Sequence, residues 1–252
     1  MFCNLDGGFM RFIKVRMYYI IVLLIIFLSV LIFNIEFVSS KSSDVEEKFL
    51  ENYNFSSRDI IVDNLEKMEN SEIIIIGDSR FEQIINDRKS YEIPQNFTFI
   101  AKSAMEVNWF VDVASKKLRY ILDNNDEKKY HVVINMGVND IQFYKNYDES
   151  IDTYLNEYKH LISDYRDVDF YLLSINPIVE KKLIKVQPDN IRTSDDIKYF
   201  NSRLVHFSIR ERITYCDAIN KIDFETNDGI HYTKKTNQDI INFILSDCVI
   251  IK

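Results

Sequence analysis

From residue 71 onward the chain alternates short apolar bursts with longer stretches whose apolar residues recur every three or four positions. The bursts are residues 72–76, 97–101, 130–135, 168–174 and 213–216. Short continuous runs of this kind are what strands buried on both faces of a sheet show. Between them, residues 107–122, 151–165 and 195–212 carry helical spacing, and 233–245 closes the chain in the same way. Strand followed by helix, repeated, predicts a three-layer α/β/α domain around a mostly parallel, five-stranded sheet, because parallel neighbours need crossovers and these are usually helices. Ligands bind such sheets beyond the carboxyl ends of the strands, so the loops after the bursts are where chemistry is to be sought.

A different pattern occupies the first seventy residues. No charged residue occurs from Met17 to Phe33, and extension to Ile35 makes a run of 19 residues. At about 1.5 Å per residue it reaches roughly the ~30 Å of a bilayer's hydrocarbon core. Arg11, Lys14 and Arg16 precede it against Asp6, and few cations follow, which favours a cytoplasmic N-terminus and an exported remainder. We therefore expect a cytoplasmic segment at 1–16, a transmembrane anchor at 17–38, a stalk with a first helix at 39–70 and a folded domain at 71–252. Val38-Ser39-Ser40 also suits cleavage of a signal peptide, which would release a secreted domain. The apolar run exceeds the ~7–15 residues usual for a signal and favours the anchor.

Composition narrows the partners. The 252 residues are 46% apolar and 28% charged, enough for one sizeable core and incompatible with a disordered or collagen-like chain. Thirty-one Lys and Arg face 39 Asp and Glu, a net charge of -8. That offers no broad basic surface, so nucleic acid is not an expected partner. Three cysteines exclude a cysteine-rich framework, and no CxxC spacing suggests a metal. Cys3 lies on the inner side, while Cys216 and Cys248 are expected as two buried free thiols, with one bridge between them as the alternative. His131, His160 and His206 lack neighbouring ligands at metal spacing.

Glycine is the most informative residue. At ordinary usage the exported part would hold about fifteen; it holds three, Gly77, Gly137 and Gly229. A chain this sparing keeps glycine where the backbone needs positive φ or a close approach. Each lies beside reactive side chains: Gly77-Asp78-Ser79-Arg80 after the first burst, Gly137-Val138-Asn139-Asp140 after the third, and Asp228-Gly229-Ile230-His231 before the last helix. A serine in a strand-to-helix turn has its hydroxyl lifted clear of the sheet and its N–H at a helix start, where negative charge is favoured. His231 can take its proton, Asp228 can orient the imidazole, and Asn139 can donate to an oxyanion.

With Ile75-Ile76-Gly77-Asp78-Ser79, Gly137-Val138-Asn139-Asp140 and Asp228-Gly229-Ile230-His231 in this order, the chain resembles the SGNH/GDSL hydrolase family over residues 72–233. The resemblance implies a flavodoxin-like sheet and ester or acyl chemistry through a serine, without metal or organic cofactor. It implies Ser79 as nucleophile and, through its N–H, an oxyanion donor, His231 as base, Asp228 as its partner and Asn139 as a further oxyanion donor. The family's second block is a glycine after the second strand whose N–H completes the oxyanion hole. Here the segment reads Ala101-Lys102-Ser103-Ala104-Met105, and the glycine is missing. Ala104 aligns best, with Ser103 as its neighbour. Either still offers an N–H, at a strain of about 1–3 kcal/mol if the site demands positive φ.

Three further residues are candidates for binding substrate. Arg80 replaces the leucine of the common motif, either to contact an anionic group or as a solvated arginine at a helix start. Asp140 follows Asn139. Trp109 opens the helix after the second block, where core packing is the alternative. Residues 175–194 form a long connection on the same edge, a candidate lid or substrate wall with a partly helical excursion as the alternative. The expected function is that of a membrane-anchored serine esterase acting outside the cytoplasm on an O-acyl group, foremost O-acetyl, of an envelope glycan or lipid. An O-acyltransferase using the same residues and a non-catalytic binding domain remain as alternatives, the second resting on the missing glycine.

Overall fold

A computed structural model describes residues 71–124, 128–144 and 146–249. The expected anchor and stalk lie outside them. Among the described residues no helix is long and apolar enough to cross a membrane.

Four consecutive isoleucines, Ile73 to Ile76, build the central strand. Their β-branched side chains favour extended backbone, and all four are fully buried. They belong to β1 (Ser71–Gly77), which lies between β2 (Phe97–Ala101) and β3 (Lys129–Asn135), with β4 (Asp169–Leu173) and β5 (Thr214–Cys216) beyond. All pairings are parallel, in the order β2-β1-β3-β4-β5. This is the flavodoxin order, whose switch point, and hence binding crevice, falls between β1 and β3. All five predicted strands form, with ends shifted by no more than one residue.

The helices are α1 (Ser79–Asn86), α2 (Val107–Trp109), α3 (Ser115–Asp123), α4 (Val138–Phe143), α5 (Asp148–Asp164), α6 (Glu180–Val186), α7 (Ser194–Glu211) and α8 (Lys234–Phe243). The single helix predicted at 107–122 is interrupted by a π-helical stretch, Phe110–Ala114, and α8 ends in another, Ile244–Cys248. A π turn inserts a residue without breaking the apolar stripe, so periodicity alone does not register it. Short α4 and α6 carry too few turns to show a period.

Alternation along the strands gives the sheet two apolar faces. On one, Ile73, Ile75, Phe97, Phe99 and Val133 pack with Phe81 and Ile84 of α1 and with Ile240 and Ile241 of α8. Ile74, Ile76, Val132 and Ile134 point to the other, covered by the longer helices. There an aromatic chain links Phe110 to Tyr154 at 5.3 Å, Tyr154 to Phe200 at 6.1 Å and Tyr158 to Phe207 at 6.2 Å between ring centres.

The cysteines depart from the expected free thiols: Cys216 and Cys248 form a disulfide, with Cα atoms 5.4 Å apart. β5 is short and lies at the sheet edge, and the π-helical end of α8 returns against it. The two buried sulfurs therefore meet across a separation of 32 residues that hides the pairing in the sequence. Replacing both cysteines by alanine is expected to lower stability by about 2–4 kcal/mol, through the freed loop entropy of the unfolded chain. Urea denaturation measures it, and reductant should bring the wild-type midpoint down to that of the variant.

Candidate active site

The first component grows out of the end of β1. Asp78, in extended conformation, caps α1 by accepting from the Arg80 N–H at 3.0 Å. Ser79 is thereby the first residue of the helix, 8% exposed. Arg80 is neither the solvated arginine nor the anion contact considered from the sequence. It is 2% exposed, donating to Asp78 Oδ1 through Nε at 3.0 Å and to Oδ2 through Nη2 at 2.7 Å. The same Nη2 reaches Asn135 Oδ1 at 3.1 Å, and Nη1 reaches the Asn176 carbonyl at 3.4 Å. Burial by itself would lower its pKa, but Asp78 and Tyr232 outweigh that and raise it. The physical reason for the correction is the crowding of strand ends here, which surrounds the guanidinium with acceptors.

The second component is the loop before α8. Asp228 Oδ1 accepts from the N–H groups of Ile230 and His231 at 3.0 and 2.8 Å, an Asx turn that fixes the carboxylate relative to the ring three residues on. His231 Nδ1 lies 2.6 Å from Asp228 Oδ2, and His231 Nε2 lies 3.0 Å from Ser79 Oγ. Burial pushes the Asp228 carboxyl up, but hydrogen bonds from the His231 ring and the two N–H groups overcome it and hold the pKa below the ordinary value. Gly229 has φ of +105°, and a Cβ there would stand 2.4 Å from the Leu183 main-chain nitrogen. That close approach lets α6 sit on the loop, with the Val179 N–H bonded to the Gly229 carbonyl at 2.8 Å and the Lys182 ammonium to the Thr226 carbonyl. The segment 175–194 thus contains a short helix packed against the histidine loop.

The third component joins the loop after β2 to that after β3. Ala104 has φ of +59°, the left-handed conformation for which the family's glycine is suited. The Ser103 N–H donates to Glu82 at 3.0 Å, whereas that of Ala104 has no partner among the described residues. Two side chains hold this turn. Asn139 Nδ2 donates to the Met105 carbonyl at 2.8 Å, and Asp140 Oδ1 accepts from the Val107 N–H at 3.1 Å. Gly137, with φ of +119°, starts α4 and places both.

Asp140 does not serve substrate. It is 0% exposed and also accepts from the Tyr154 hydroxyl at 2.9 Å, so its carboxylate is used up inside the fold. Burial raises its pKa to about 6 against the opposing pull of the Val107 N–H and Tyr154. Trp109 is buried, 8% exposed, among the core residues. Sequence reasoning missed Arg192, which precedes α7 and is 7% exposed. Its Nε donates to the Val138 carbonyl at 2.7 Å and its Nη2 to Asn139 Oδ1 at 2.8 Å. No signal announced it, since a lone arginine in a polar connection looks solvated. Among the described residues no group of His, Cys, Asp and Glu is arranged to hold a metal ion.

The assembled parts are a hydroxyl, an imidazole and a carboxylate in series, a helix-start N–H, and a turn with a free N–H held by a carboxamide. Such a set can carry out acyl transfer. The profile of the GDSL-like lipase/acylhydrolase family matches residues 49–244. No curated protein matches the chain in sequence. Solved structures share its fold. A Streptococcus pneumonia protein described as a candidate platelet activating factor has a TM-score of 0.56 at 16% identity, with 81% of this chain and 97% of that one covered. A candidate acylhydrolase from Bacteroides fragilis gives 0.53 at 18%, covering 72% and 90%. A GDSL-like lipase from Bacteroides thetaiotaomicron gives 0.52 at 16%, covering 69% and 89%.

Two outcomes follow from the third component. Ala104→Gly should relieve the left-handed strain and raise stability by up to about 1 kcal/mol, whereas Ala104→Val should lower it by about 1–3 kcal/mol, both read by urea denaturation. Asp140 binds its proton more tightly folded than unfolded, so its contribution to stability is full below about pH 4 and is lost as pH rises through about 6. Asp140→Asn keeps an acceptor for Val107 and should flatten the stability profile over that window by roughly 2–3 kcal/mol, measured by denaturation at a series of pH values.

Proposed function

Because the chain belongs to the GDSL-like lipase/acylhydrolase family, we propose that it is a serine esterase acting outside the cytoplasm, which hydrolyses an O-acyl ester, foremost O-acetyl, on an envelope glycan or lipid. What carries the reading is the series Ser79 Oγ, His231 Nε2 at 3.0 Å and, on the far side of the ring, Asp228 Oδ2 at 2.6 Å from Nδ1. Ser79 Oγ attacks the ester carbonyl as His231 Nε2 takes its proton, and Asp228 stabilises the imidazolium that forms. Negative charge on the former carbonyl oxygen is met by the N–H groups of Ser79 and Ala104 and by Asn139 Nδ2. Collapse expels the alcohol, which receives the proton from His231 and leaves an acyl-serine. Water, deprotonated by His231, then attacks the acyl carbon, and the free acid departs as Ser79 regains its proton.

Support for the exported location comes from the apolar run at 17–35 with its preceding cations and from the Cys216–Cys248 disulfide, a bond characteristic of oxidising compartments. The helix start at Ser79 and the unpartnered Ala104 N–H favour catalysis over a non-catalytic binding domain. With p-nitrophenyl acetate as substrate, Ser79→Ala should lower kcat at least about 10³-fold, and a fluorophosphonate should label the wild-type serine alone. Turnover that survives in Ser79→Ala would sink the reading. Adding a glycan acceptor tests for transfer: diversion of acyl product away from free acid would make the enzyme a transferase.

A further inference from the structure

Arg192 is a buried cation where burial is unfavourable. Among the described residues it forms no ion pair with a carboxylate, in contrast to neighbouring Arg80, which Asp78 neutralises through two contacts. Its guanidinium donates to uncharged oxygens, the Val138 carbonyl and Asn139 Oδ1. A guanidinium so placed forfeits its hydration, and the carboxylates of Asp78 and Asp140 act on it only through space, without direct contact. Burial, and then the charge of Arg80, lower its pKa to about 10 against the opposing pull of Asp78 and Asp140, which still leaves it protonated at neutral pH.

The contacts also decide which way Asn139 points. Guanidinium is a donor only, so the carboxamide atom facing it is oxygen; the Met105 carbonyl is an acceptor only, so the atom facing it is nitrogen. Asn139 is thereby locked from both sides. Nδ2 carries two hydrogens, of which Met105 takes one, and the other has no acceptor among the described residues.

We propose that Arg192 is a positioning residue for acyl transfer: it locks the Asn139 carboxamide so that its remaining N–H serves the oxyanion, and its charge polarises that amide. The inference rests on the esterase reading of Ser79. It gives the connection at 175–194 a role other than covering a pocket, namely delivery of one cation behind the oxyanion donor. Hydrogen bonds in series strengthen one another in a low-dielectric site, so a charged donor on the amide oxygen makes the amide N–H a better donor.

The test compares the full-length wild type with Arg192→Gln, Asn139→Ala and the double variant, using p-nitrophenyl acetate. Arg192→Gln is expected to lower kcat by about 10- to 100-fold, with KM changed by less than about threefold, because the interaction is made chiefly with the developing charge. Since Arg192 acts through Asn139, the double variant should be no slower than Asn139→Ala alone. An unchanged kcat in Arg192→Gln, or losses that multiply in the double variant, overturns the proposal. Should Arg192→Gln lose its thermal unfolding transition, Arg192→Met, which keeps the apolar stem without charge or donor, replaces it in the same cycle under the same criterion. A wild type that neither hydrolyses the ester nor takes a fluorophosphonate refutes the esterase reading and this inference with it. A wild type that does both while Arg192 proves dispensable refutes the inference alone.

Discussion

The Asp78–Arg80 ion pair, sealed inside the carboxyl edge of the sheet, is the interaction on which the site depends. Asp78 caps the helix that begins with Ser79, and Arg80 returns across the strand ends to Asn135 at the end of β3 and Asn176 after β4. Asn135 extends the network to the Ser174 carbonyl at 2.6 Å, and the Ser174 hydroxyl accepts from the Ala218 N–H at 3.1 Å. Four of the five strand ends are thereby connected by polar bonds. A buried pair of this kind contributes little net stability when intact, yet removal of one partner leaves a charge stranded. Its consequence is geometric: the residue between the two charges cannot rotate independently of the sheet.

The oxyanion side is organised by a different device, a strained backbone held by side chains of the neighbouring turn. A left-handed alanine costs energy, and it persists because Asn139 and Asp140 bind the chain on either side of it, at Met105 and Val107. Asp140 is buried without a direct cationic partner and Arg192 without a direct anionic one. The two attract each other through space, Asp140 as the chain neighbour of Asn139 and Arg192 as the donor to its amide oxygen. Local electrostatics at this point therefore differ from the acidic character of the whole chain.

How much was legible differed by element. Strands buried on both faces need apolar residues throughout, so Ile73 to Ile76 and Val132 to Ile134 were readable as unbroken runs. The three glycine turns were readable because glycine was scarce enough elsewhere to make each one informative. Arg80 was misread because its motif position specifies the turn and not what packs over it. Asp140 stood as a candidate for binding substrate because nothing in its neighbours in sequence reveals Tyr154 above it. Arg192 and the Cys216–Cys248 pair depend wholly on segments that meet only after folding.

The sequence by itself determined the strand and helix order, the parallel sheet and the identity of the turns carrying Ser79, Asn139 and His231. These follow from local chemistry, from runs that must be buried and backbones that need glycine. Tertiary structure alone decided which charges are buried, which carboxylate is consumed in packing, and which arginine stands behind the amide. Those outcomes depend on desolvation and on hydrogen bonds of a few ångströms between residues distant along the chain, and no local pattern encodes either.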